Sequence, residues 1–97
     1  MNNALKGLQP EKVFMFFEEL TQIPHGSHNT KQISDFCVDF ANKRGLKVYQ
    51  DEYNNVVIYR QASKGYENAP GVIIQGHLDM VCEKESGCTH DFTKDAL

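Results

Sequence analysis

With 97 residues, the chain has material for one small domain and no more. Hydrophobic residues make up 40% and charged residues 24%, a balance that excludes wholesale disorder. The net charge of -3 offers no basic face to nucleic acid, and no apolar run approaches the roughly 20 residues needed to cross a bilayer. The N-terminal Met1-Asn2-Asn3-Ala4-Leu5-Lys6 lacks the apolar core of a signal peptide, so a cytoplasmic location is expected. Cys37, Cys82 and Cys88 form an odd set in a chain without a secretion signal, which argues against a disulfide framework.

A first helix is expected over about residues 10–20. Pro10 suits the first helical position, where its missing N–H would have had no partner. Val13, Phe14, Phe16, Phe17 and Leu20 recur at helical spacing and make an apolar stripe. Thr21-Gln22-Ile23-Pro24 should end it, because the residue before proline is pushed towards extended geometry. Residues 24–29 contain His25 and His28 three apart, but Gly26 and Ser27 between them indicate a loop rather than a helix face. A second helix is expected over 30–44, with Asn29 or Thr30 as N-cap. Ile33, Phe36, Cys37, Phe40 and Ala41 form its inward face, and Gly45 supplies the left-handed position that stops it.

Residues 46–50 and 56–60 are expected to pair as a β-hairpin about the Asp51-Glu52-Tyr53-Asn54-Asn55 turn. The 62–70 stretch is polar and loop-like. Gly71-Val72-Ile73-Ile74-Gln75 is a continuous apolar run, the pattern of a strand buried on both faces in mid-sheet. Beyond Cys82 the pattern weakens to an irregular tail. The fold class is therefore α/β: two helices, a hairpin and a buried strand, short of the further elements such a sheet needs.

The chemistry concentrates in Gly76-His77-Leu78-Asp79-Met80-Val81, directly after that strand. The carboxyl ends of strands in open α/β sheets are where ligands gather. A neutral imidazole binds zinc, and a carboxylate nearby can orient it and raise its basicity. His-x-Asp alone is a weak motif. Its extension narrows the choice: residues 72–84, then His90-Asp91-Phe92-Thr93-Lys94-Asp95, with 20–24 and 54–58 upstream. These resemble the aminoacyl-histidine (Xaa-His) dipeptidases, also called cytosolic non-specific dipeptidases, a family of two-zinc metallopeptidases. The one departure is Ala96, where that family has proline.

The resemblance implies hydrolysis of Xaa-His and other dipeptides by a water activated between two zinc ions. It implies His77 as a ligand to one zinc and Asp79 as the carboxylate that supports the site. A bridging aspartate, a general-base glutamate and the remaining ligands are expected beyond Leu97, as is a lid-like domain. Residues 1–97 are thus expected to be the N-terminal part of a catalytic domain and inactive alone. By ligand type cobalt or manganese would also serve. The expected partner is a dipeptide, with a homodimer of the full-length protein a candidate, and no nucleic acid or membrane. Two other readings stand beside it. One is a small zinc module built from His77, Cys82, Cys88 and His90, although the paired Cys-x2-Cys of most structural sites is missing. The other is a non-catalytic interaction fragment offering an open sheet edge and an apolar face.

Overall fold

The computed structural model describes residues 4–97; residues 1–3, the first half of the segment read above for a signal core, lie outside it. Two helices and a two-stranded antiparallel sheet follow in the order α1 (Glu11–Thr21), α2 (Lys31–Lys43), β1 (Lys47–Gln50) and β2 (Val56–Tyr59). The architecture is mixed α/β, as expected. The chain divides into two compact units, one of Met1–Ile33 with Asp79–Leu97 and the other of Ser34–Leu78.

In the first unit, α1 starts one residue later than the proline rule suggested. Pro10 is extended (φ -72, ψ 128) and flanks the helix, while its carbonyl accepts the first helical bond from Phe14 N at 3.3 Å. The free N–H of Glu11 is met by Gln9 Oε1 at 3.3 Å, which answers one of the helix's four orphan donors. The C-terminal end tightens as expected before Pro24. Gln22 N donates to Glu19 O at 3.3 Å and Ile23 N to Leu20 O at 3.2 Å. The apolar stripe is only partly covered: Phe14, Phe16 and Leu20 are half-buried, whereas Val13 and Phe17 are 60% and 52% exposed. The tail returns to this helix through Leu97 N, which donates to Thr21 O at 2.9 Å. Within the tail Asp91 organises a turn, accepting at Oδ1 from Thr93 N (2.9 Å) and Thr93 Oγ1 (2.6 Å). The Thr93 hydroxyl, then its amide, hold the Asp91 carboxyl below its ordinary pKa.

In the second unit, α2 closes on a glycine as anticipated. Gly45 sits at φ 67, Gly45 N donates to Asn42 O at 3.1 Å and Leu46 N to Ala41 O at 2.9 Å. These two bonds are the paired terminal contacts of a Schellman motif and satisfy carbonyls that the helix leaves unpaired. Arg44 packs its guanidinium 3.4 Å over the Phe40 ring and donates to Phe40 O at 3.2 Å, a cation on the negative end of the helix. The inward face is the one expected: Ile33 and Ala41 are buried, and Phe36, Cys37 and Phe40 half-buried. Partial burial raises the pKa of the Cys37 thiol. Ser34 is also fully buried, with its hydroxyl accepting from Gln50 Nε2 of β1 at 2.7 Å. The hairpin runs in the register Lys47↔Tyr59 to Gln50↔Val56. Its turn is built by Asp51, whose carboxylate accepts from Tyr53 N (2.9 Å), Asn55 N (2.8 Å) and Asn55 Nδ2 (2.9 Å). Asn54 takes the positive φ of 69 that asparagine tolerates.

The expected third strand is not formed. Residues 71–75 pair with no strand among the described residues, and Val72, Ile73 and Ile74 are 85%, 92% and 96% exposed. An apolar run becomes a buried strand only when neighbours lie on both edges and both faces. A two-stranded hairpin provides none of these for residues 71–75.

Candidate functional site

The motif Gly76-His77-Leu78-Asp79 straddles the division between the two units, which falls between Leu78 and Asp79. His77 closes the apolar run of the second unit and is exposed; Asp79 opens the returning segment of the first and is half-buried.

In the first unit, the loop after α1 is fastened to residues 79–82. Gly26 and Met80 form an isolated parallel bridge, made by Met80 N donating to His25 O at 3.0 Å and Ser27 N donating to Met80 O at 3.1 Å. The loop closes on itself through Asn29 N to Gly26 O at 2.9 Å, with His28 at φ 67. Gly26 is buried, and a Cβ there would overlap Cys82 Sγ. A side chain at this position would require the exposed Cys82 thiol to move aside. Ser27 places its hydroxyl 2.5 Å from Asp79 Oδ2, within the range of a charge-assisted O–H···O⁻ bond. Met80 O, at 3.4 Å, is a poorer acceptor for the same proton.

The loop histidines are partly accounted for. His25 Nδ1 lies 2.6 Å from Ile23 O, so its Nδ1 proton is donated to that carbonyl. His90 sits edge-on to Phe92, ring centroids 4.7 Å apart; its own carbonyl accepts from Lys84 Nζ at 2.6 Å, and its Nε2 is buried without a partner.

The four-residue zinc module is not assembled. Among the described residues, no group of three or more His, Cys, Asp or Glu side chains is placed to hold a metal ion. Cys82 and Cys88 are exposed free thiols, with Cys82 Sγ directed at Met80 O at 3.8 Å. Without a paired knuckle, nothing in the local backbone gathers the two sulfurs. The same observation applies to a catalytic zinc, which takes three protein ligands and an open position. The described residues do not by themselves fit one.

Gly26 and Ser27 were visible in the sequence only as loop-formers. A small residue followed by a hydroxyl between two histidines hints at a close approach, but the segment approached is far along the chain.

No protein-family model matches the chain. It is 37% identical over 95 residues to the cytosol non-specific dipeptidase of Escherichia coli (strain K12), an alignment covering 98% of this chain and 20% of that protein. It superposes with a TM-score of 0.91 and 35% identity on the crystal structure of aminoacylhistidine dipeptidase from Vibrio alginolyticus, covering 96% of this chain and 19% of that one. The chain thus spans about a fifth of the length of the proteins it matches. Across nearly its whole length, it is a homologue of a one-fifth portion of the aminoacyl-histidine, or cytosol non-specific, dipeptidases.

Proposed function

We propose that this chain contributes the first motif of the catalytic centre of a metal-dependent dipeptidase and forms part of its catalytic domain. The observation that carries the reading is the backbone match at TM-score 0.91 and 35% identity to an aminoacylhistidine dipeptidase. In this reading His77 is a zinc ligand and Asp79 is the carboxylate that supports the site. Imidazole and carboxylate donors suit zinc, with cobalt or manganese as substitutes. The remaining ligands and the general base come from residues this sequence does not contain, so no catalytic step is assigned to the 97 residues themselves. The substrate class is dipeptides, Xaa-His among them. The working protein is cytoplasmic, in line with the name of the E. coli relative, and a homodimer is a candidate assembly. No described helix is long and apolar enough to cross a membrane.

The test is hydrolysis of an Xaa-His dipeptide with zinc present, by the isolated chain and by a chimera. In the chimera the chain replaces the matching fifth of the E. coli dipeptidase. The isolated chain is expected to be inactive, and the chimera to cleave the dipeptide. Activity in the isolated chain, or a folded chimera without activity, would overturn the reading.

A further inference from the structure

We propose that Ser27 is a positioning residue for Asp79: the loop that follows α1 carries a hydroxyl whose task is to hold the motif carboxylate in one orientation. The proposal rests on the reading of Asp79 as a carboxylate of the site.

Three observations converge on it. The Ser27 hydroxyl lies 2.5 Å from Asp79 Oδ2, the short distance expected when a hydroxyl meets an ionised carboxylate. The backbone beneath both residues is locked by the pair of bonds joining His25 and Ser27 to Met80. The hydroxyl is therefore presented from a framework that does not depend on the side-chain bond itself. Gly26 leaves room beside that framework for Cys82 Sγ, the atom a Cβ there would meet. A donor held on its flank restricts the orientations open to a carboxylate, and fixed orientation is what catalytic groups need from their supports. Serine at this position is thus coupled to the chemistry through Asp79, without touching a substrate.

The test has two arms. In the 97-residue chain, the Asp79 side-chain carboxyl ¹³C shift is read at pH 7 for the unaltered protein, Ser27→Ala and Ser27→Thr. The resonance is expected to move on Ser27→Ala and return with threonine, which keeps the hydroxyl. A resonance indifferent to Ser27→Ala would overturn the proposal. In the chimera, Ser27→Ala is expected to lower kcat roughly tenfold with KM within about twofold, and Ser27→Thr to restore it, as for a hydrogen bond to a charged group. Adding Ser27→Ala to Asp79→Asn should cost less than about twofold more, because the two residues act as one unit. Equal losses from Ser27→Ala in both backgrounds would refute the coupling. An Asp79→Asn chimera of full activity would instead remove the reading of Asp79, while the carboxyl shift would still report whether Ser27 holds it.

Discussion

At position 26, Cys82 Sγ occupies the space that a methyl group would take. The constraint is one of room, because Gly26 is not among the glycines with positive φ. Gly26→Ala is therefore expected to push the exposed Cys82 thiol aside and to destabilise the fastened loop by no more than about 1 kcal/mol, the low end of the cost of overpacking. It should also speed hydrogen exchange at the Met80 amide, which is bonded to His25 O. Adding Cys82→Ala removes the sulfur and should recover most of the loss. If the double variant exchanges as fast as the single one, the steric explanation fails. The roles of Gly26 and Ser27 were not legible in the sequence, because each depends on Met80, Asp79 or Cys82 being brought alongside. His77 and Asp79 drew notice earlier because their residue types and spacing are informative without any neighbour.

Among the elements, legibility followed locality. The stop of α2 at Gly45 and the turn of the hairpin depend on residues a few positions apart, and both were anticipated. The turn has a pH signature. Bonds from Asn55 and Tyr53, chiefly the Asn55 side chain, lower the Asp51 pKa from its ordinary 3.8. The unfolded chain therefore binds a proton more readily than the folded one. The contribution of Asp51 is complete above the ordinary value and is lost as pH falls through the lowered folded one. Because the group is exposed the effect is local, and it is read at the Asn55 amide, which donates to Asp51 Oδ1. Its protection should persist at pH 5 and fade below the ordinary aspartate range, and in Asp51→Ala it should be weak throughout. Protection independent of pH in the unaltered chain would show that the carboxylate does not hold the turn. The 71–75 run has the apolar character of a buried strand but forms none, for the complementary reason: apolar character is local, but burial needs strands and helices on either side.

The molecule as a whole places an apolar run in water. Val72, Ile73 and Ile74 present almost their full surface, and covering such surface yields roughly 25 cal/mol per Å². The chain matches relatives about five times its length. The described residues do not gather a set of three ligands for a metal ion, so the proposed metal site has to be tested in a longer chain. The most direct measurement is the metal content of the dipeptidase chimera, determined by mass spectrometry after dialysis, for the unaltered protein and for His77→Ala. The unaltered chimera is expected to retain zinc and cleave the dipeptide, whereas His77→Ala should lose bound metal and at least about a hundredfold in kcat/KM, as removal of a direct ligand costs more than loss of an outer-shell partner. A His77→Ala chimera that keeps both its zinc and its activity would contradict the assignment of this imidazole to the site.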